Sequence, residues 1–247
     1  MSNFETVIFE RRDGIAYVTL NRPQVLNVYN IQMRDELFQV LGAIKDDPEV
    51  LVAVFKGAGE RGFCAGADLT EFLTAPSPTI ARQVRWERDV WGLFLSVPQP
   101  VIAALHGYVL GSGVEVALCC DIRIASEGTQ FGLPEVGLGI IPAAGATQTL
   151  SRAVGQAKAL EMILTGRRIG VKEALDLRLI NRVVPKDELL PTVEGMARQI
   201  TLLDPMAVRN VKQAVVRGSD LPLPEGLSLE KRLASSLLQS RASVASQ

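Results

Sequence analysis

The chain has 247 residues, 47% of them hydrophobic, with 26 Lys+Arg against 27 Asp+Glu. That length can bury a sizeable core, as one large domain or a domain with an appendage. A net charge of −1 gives no overall attraction to nucleic acid or an anionic membrane, and the three cysteines (Cys64, Cys119, Cys120) form neither a disulfide framework nor a zinc motif. The first 14 residues hold neither a basic n-region nor an apolar h-region, so a cytoplasmic location is the expectation. Residues 101–120 could be mistaken for a membrane span. Three glycines, His106 and Glu115 within them argue instead for strand, turn and helix.

Strands are predicted over 6–10 and 15–20, joined at the hairpin dipeptide Asp13-Gly14, and Asn21-Arg22-Pro23 ends the second. Met33, Leu37, Val40, Leu41 and Ile44 recur at helical spacing and predict a helix over 31–45. An apolar run at 50–55 reads as a buried strand opening into a glycine-rich loop from Gly57 to Gly66. A helix over 80–96 stops before Pro98. Then come a buried strand at 101–105, a helix at 113–119 and a strand at 121–125. Strand, loop and helix repeat with a buried parallel strand each time, which points to an α/β fold. From about Ser151 helices dominate, at 156–164, 172–177, 187–202, 205–217 and 224–239, with one strand signal at 182–184. The expected organisation is an α/β core over residues 1–190 and a helical region over 191–247, packed together.

Gly57-Ala58-Gly59-Glu60-Arg61-Gly62 matches G-x-G-x-x-G after a strand, as a dinucleotide fingerprint does. No amphipathic helix opens at Gly62, so the small residues read better as backbone approaching a ligand closely. His106 is the only histidine, and Ser112 follows six residues on. Position 110 is Leu, so the elbow G-x-S-x-G of a serine hydrolase is missing, and a packed, hydrogen-bonded histidine is the plainer reading. No ligand set for a metal stands beside it.

Gly111 and Gly113 bracket Ser112 between a buried strand and a helix, where free backbone N–H groups meet the positive end of the helix. The turn at Ala65–Asp68 has the same character. Two such turns at one end of a sheet would make an oxyanion hole, and two tight packing turns fit the same residues. Glu115 falls in the first helical turn after the Gly111 loop, and Glu135 follows Pro134, each among apolar neighbours. Buried carboxylates need a partner or a task, and a pair brought together pushes their proton affinities apart, as acid and base work requires.

The stretches 63–69 (Phe-Cys-Ala-Gly-Ala-Asp-Leu), 111–115 (Gly-Ser-Gly-Val-Glu) and 131–136 (Phe-Gly-Leu-Pro-Glu-Val) resemble the signature of the enoyl-CoA hydratase/isomerase (crotonase) family. Leu20-Asn21-Arg22-Pro23, Cys120-Asp121-Ile122-Arg123 and Gly139-Ile140-Ile141-Pro142-Ala143 add to the match, which runs in register from about residue 5 to 235. The resemblance implies a crotonase-like spiral of ββα units with a helical C-terminal trimerisation region, as a homotrimer or a dimer of trimers. It implies an acyl-CoA thioester substrate, with CoA part of that substrate and no separate cofactor, while the charge and the residue set lead us to expect no metal, nucleic acid or membrane partner. It also implies that the backbone N–H groups of Ala67 and Ser112 hold the thioester oxygen, that Glu115 activates water and that protonated Glu135 supplies a proton. CoA is expected along Val25–Val28, Ala65, Asp68 and Leu69, with Ala143 at the water-binding turn.

Both family glutamates are present, as in hydratases, so addition of water to a 2-enoyl-CoA is the reaction expected. An isomerase, or a hydratase or hydrolase for a cyclic or aromatic-derived acyl group, keeps the fold and changes the chemistry. A non-catalytic, RNA-binding role is the alternative from another class, and the balanced charge lends it no support. Serine at 112 replaces the family's usual glycine. Ala143 and Leu133 are expected to make the pocket more apolar, and the end of the chain is expected to shorten the basic helix that closes over CoA.

Overall fold

The computed structural model describes residues 4–71 and 87–245, with side chains described as far as residue 239. Two sheets organise it. The larger has six strands in the order β1 (Val7–Arg12), β2 (Ile15–Leu20), β3 (Val52–Gly57), β5 (Val101–Leu105), β7 (Ile122–Ser126) and β10 (Arg182–Val184). β1 and β2 form the expected antiparallel hairpin, and every later pairing in this sheet is parallel. The smaller sheet runs β4 (Gly62–Cys64), β6 (Tyr108–Leu110), β8 (Gln130–Gly132) and β9 (Ile169–Gly170), parallel except for β9. Three times in succession the chain crosses the large sheet and then the small one: β3 to β4, β5 to β6, β7 to β8.

The helices are α1 (Ile31–Asp46), α2 (Val90–Ser96), α3 (Ser112–Cys119), α4 (Ala146–Val154), α5 (Gln156–Thr165), α6 (Val171–Asp176), α7 (Leu189–Thr201), α8 (Pro205–Gly218) and α9 (Leu223–Ala245). α1 starts where the Asn30 side chain accepts the Met33 N–H at 2.9 Å, filling one of the orphan donors of the first turn. Its apolar stripe, Met33, Leu37, Val40, Leu41 and Ile44, is wholly buried, as the spacing predicts. Of the helix predicted over 80–96, residues 80–86 lie outside the described residues and α2 forms the end.

β2 explains the layering. Ala16, Val18 and Leu20 face the main core, while Ile15 and Tyr17 face a second cluster that Leu189, Val193 and Ala197 of α7 complete. A sheet covered on both faces needs apolar residues at every position, which is why its strands read as continuous runs. A division at residue 190 falls just inside α7, and that helix closes the outer face of the large sheet. α8 is pinned to the core by polar contacts. The Lys212 ammonium donates to the Gln99 carbonyl at 2.8 Å and pairs with Asp121 at 2.7 Å, and Arg209 donates to the Val50 carbonyl at 3.1 Å.

The strands β4, β6, β8 and β9 and the helix α4 are not predicted from the sequence. Two- and three-residue strands are too short to display a period. The glycines of residues 57–62 also have a different purpose from the one expected. A Cβ at Gly57 would lie 2.6 Å from the Phe63 carbonyl oxygen, and one at Gly62 2.9 Å from that of Tyr108. These glycines admit neighbouring backbone, and β4 follows them where a nucleotide-binding helix would start.

Candidate active site

The two glycine turns expected to supply backbone donors follow β4 and β6 of the small sheet, not strands of the large one. In the first, Tyr29 and Ala67 form a parallel bridge in which the Tyr29 N–H donates to the Gly66 carbonyl and the Asp68 N–H donates to the Tyr29 carbonyl, both at 2.8 Å. That pattern uses the groups flanking Ala67, so the Ala67 N–H is turned to the other side. In the second, Gly111 (φ 50°, ψ −121°) takes a conformation open to glycine and precedes α3. The N–H groups of Val114 and Glu115 both turn back to the Gly111 carbonyl, at 2.8 and 3.2 Å. Ser112 and Gly113, at the mouth of the helix, carry two of its orphan N–H groups. The turns touch, since a Cβ on Gly111 would sit 3.3 Å from the Gly66 Cα.

Both glutamates converge on this junction. Glu115, in the first turn of α3, is buried, and its Oε1 accepts the Ala144 N–H at 2.8 Å and the Ala146 N–H at 3.4 Å. Burial pushes its proton affinity up, against those two amides and the Ser112 hydroxyl, which favour the ionised form. Glu135 opens a 3₁₀ turn (Glu135–Leu138) beyond β8, and its Oε1 would be 3.0 Å from a Cβ on Gly111. Its Oε2 is buried without a hydrogen-bond partner. Burial raises its proton affinity, its own backbone N–H opposes this, and the charge of Glu115 adds to the rise. The environments are unequal. Donors from the N-terminal end of α4 favour the ionised form of Glu115, whereas the buried Oε2 of Glu135 has none.

Residues 25–29 and 65–69 run side by side, with the Ala65 N–H donating to the Leu26 carbonyl at 3.0 Å. Val25 and Leu69 are exposed, Val28 and Ala65 are half-buried, and the Asp68 carboxylate pairs with Arg22 at 2.9 Å and accepts the Thr70 hydroxyl at 2.6 Å. Ala143 is exposed and adjoins the Ala144 amide that holds Glu115. Leu133 lies in the main core with no exposed surface, so its apolar character serves packing and not an open pocket wall. His106 is as the plainer reading has it: its Nε2 lies 3.0 Å from the Gly59 carbonyl oxygen, and burial lowers its proton affinity. The thiols are free and buried, with burial pushing Cys64 up to about 11. Among the described residues no cluster of His, Cys, Asp and Glu could hold a metal ion, and no helix is long and apolar enough to cross a membrane.

Sequence reasoning missed the Ala144 and Ala146 donors and the tyrosine that braces Ala67. Gly145, just before α4, is the one local sign of the former. Tyr29 carries no signal beyond its closeness to Asn27.

Backbone donors on parallel strands, beside two carboxyls of unequal environment, define a site for acid–base chemistry on a polarised carbonyl. The chain matches the enoyl-CoA hydratase/isomerase family model over residues 10–246 and belongs to that family. It is 42% identical over 224 residues to the short-chain-enoyl-CoA hydratase of Clostridium acetobutylicum, a match covering 91% of this chain and 86% of that one. To the crotonyl-CoA hydratase of Syntrophomonas wolfei it is 38% identical over 228 residues, covering 92% and 87%. The fold is that of the crotonases. It matches the crystal structure of the enoyl-CoA hydratase of Bacillus anthracis with a TM-score of 0.89 at 36% identity, covering 95% of this chain and 91% of that one.

Proposed function

We propose that the protein adds water across the double bond of a 2-enoyl-CoA to give a 3-hydroxyacyl-CoA. The thioester oxygen lies between the Ala67 and Ser112 N–H groups, which draw electron density out of the double bond and stabilise the enolate-like transition state. Glu115 takes a proton from water as the oxygen attacks Cβ, and Glu135 gives its proton to Cα. Opposite charge states at the two glutamates are required at the start. The observation that carries this reading is the inequality between them, with two backbone donors on Glu115 and an unpartnered buried oxygen on Glu135.

CoA enters with the substrate and no further cofactor is invoked. It is expected to follow Val25–Val28, Ala65, Asp68 and Leu69, with Ala143 near the attacking water. The test is the loss of conjugated-enone absorbance of crotonyl-CoA, compared with Glu115→Gln and Glu135→Gln. Rapid loss in the wild type and slow loss in both variants is expected. A wild type that binds CoA thioesters but leaves crotonyl-CoA unchanged refutes hydration, and 3-enoyl and cyclic thioesters are then the substrates to try.

We further propose a trimer or a dimer of trimers in the cytoplasm. Support comes from the apolar surface of α8 and α9, where Met206, Val211, Val215, Leu223 and Leu227 are each more than half exposed. A monomer by light scattering at micromolar concentration refutes it.

A further inference from the structure

Among the described residues four buried polar side-chain atoms lack a hydrogen-bond partner: Tyr29 Oη, Gln99 Oε1, Glu135 Oε2 and Arg209 Nε. Gln99 and Arg209 lie where α8 is pinned, and each donates elsewhere to backbone, at 2.6 and 3.1 Å. Glu135 has its task in the reaction above. Tyr29 is left. A phenol buried without a partner loses its hydration for nothing, whereas phenylalanine would fill the same space free of that loss.

The place of Tyr29 suggests what the hydroxyl is for. Its backbone holds both sides of Ala67, the residue whose N–H faces the thioester oxygen in the reaction above. Its ring lies 5.5 Å from that of Trp91 at an interplanar angle of 36°. Among the described residues, the charged and titratable groups that act electrostatically on the phenol are Arg34 and Asp35 from α1, Glu115 from α3 and the Cys64 thiol from β4. Arg34 is already paired with Asp35 at 2.8 Å, and Asp35 also pairs with Arg88. Among the described residues the cation acting on the phenol is therefore already spent in an ion pair, and Glu115 would repel an acyl carboxylate. A neutral oxygen suits this setting.

We propose that Tyr29 Oη is a polar anchor for the acyl group, and that the pocket prefers thioesters whose acyl chain carries a neutral hydroxyl or oxo oxygen. This rests on the acyl-CoA reading of the same site. A phenol is protonated at neutral pH, and burial only adds to its proton affinity, so it can donate to an oxo group or exchange both bonds with a hydroxyl. Tyr29 Oη and Glu135 Oε2 are both buried without a hydrogen-bond partner, and a polar acyl group would give the first of them one.

The test uses saturated thioesters, which cannot be hydrated. Butanoyl-, hexanoyl- and octanoyl-CoA are compared with their terminally hydroxylated counterparts by isothermal titration, for wild type and Tyr29→Phe. At one chain length or more the hydroxylated compound should bind the wild type about ten-fold tighter than its partner. Tyr29→Phe should abolish that preference and melt no lower than the wild type. Equal binding within every pair overturns the anchor, as does a preference that survives in Tyr29→Phe. A variant that melts several degrees lower also overturns it, because the hydroxyl then supports the fold. Failure of every thioester to bind overturns the acyl-CoA reading along with it, a pattern distinct from equal binding. Loss of crotonyl-CoA hydration alone would leave the binding contrast intact.

Discussion

Glu115→Gln separates chemistry from folding because the two should move in opposite directions. The carboxyl is 3% exposed, and its Oε1 accepts the Ala144 and Ala146 amides. Glutamine keeps an acceptor oxygen for those amides and loses the base. General-base catalysis contributes roughly 10²–10⁴ in rate, so kcat should fall by that factor, or about 3–5 kcal/mol of barrier. Stability should not fall. Burial holds the Glu115 proton affinity above its unfolded value, so keeping it ionised at neutral pH costs the fold about 1.4 kcal/mol for each tenfold rise in that affinity. A carboxyl with a raised folded pKa favours the fold below its unfolded pKa, and that contribution is lost as pH rises through the folded pKa. The variant should therefore melt at or above the wild-type temperature at pH 7–8, with the gap closing as pH drops through the raised pKa. Crotonyl-CoA turnover and thermal melts over pH 4–8 measure both. Undiminished turnover refutes the base assignment. A melting temperature several degrees below the wild type at neutral pH refutes the desolvation argument.

Ser112→Pro should remove the N–H proposed for the oxyanion, together with the hydroxyl that supports ionised Glu115, at a helix position that tolerates proline, lowering kcat/KM by at least roughly 10²–10³ with little change in a urea midpoint. Unchanged kcat/KM would place the oxyanion elsewhere. Gly113→Ala would set a Cβ 2.1 Å from the Cys64 carbonyl oxygen, and it should lose several degrees of melting temperature because neither backbone can give way. Buried Glu36 accepts the Thr6 and Val7 N–H groups, each at 2.9 Å, and the Thr6 hydroxyl at 2.6 Å. Burial raises its proton affinity, but these bonds with those from Glu5 and Gln32 outweigh it and leave the pKa below the ordinary value. Its stabilisation is present above the unfolded pKa and lost as pH falls through the folded one. Glu36→Leu should cost about 1–3 kcal/mol at pH 7 and less near pH 3, read from urea denaturation.

The large sheet and α1 were legible in the sequence for one reason: burial on a sheet face or a helix stripe recurs along the chain. Ile15 to Leu20 and the Met33-to-Ile44 stripe each give several residues the same message. The glycine turns at 66 and 111 were legible because free backbone donors need small residues. What brings Glu115 to Glu135 was not legible locally. It depends on β6 pairing with β8, three residues each, which present no periodic signal. The family resemblance implied only that the two glutamates act at one site. Tyr29 escaped notice because one aromatic residue before a helix looks like any other core residue until its hydroxyl lacks a partner.

The small sheet ties these pieces into one device. β4, β6 and β8 run parallel and adjacent, so their C-terminal ends lie along one edge. β4 leads into Gly66-Ala67, β6 into Gly111-Ser112, and β8 into Leu133-Pro134-Glu135. Neighbouring strands are about 4.8 Å apart. Two N–H groups at about that separation can converge on one oxygen at roughly 2.9 Å from each, and the third strand brings Glu135, the proton donor of the proposed reaction, one step further along. β9 runs antiparallel and ends the row, so this edge stops at the strand that carries Glu135. Glu115 comes from α3, which leaves the middle strand, whereas Glu135 follows the third strand. In the hydration proposed above, the first would serve as base at Cβ and the second as acid at Cα.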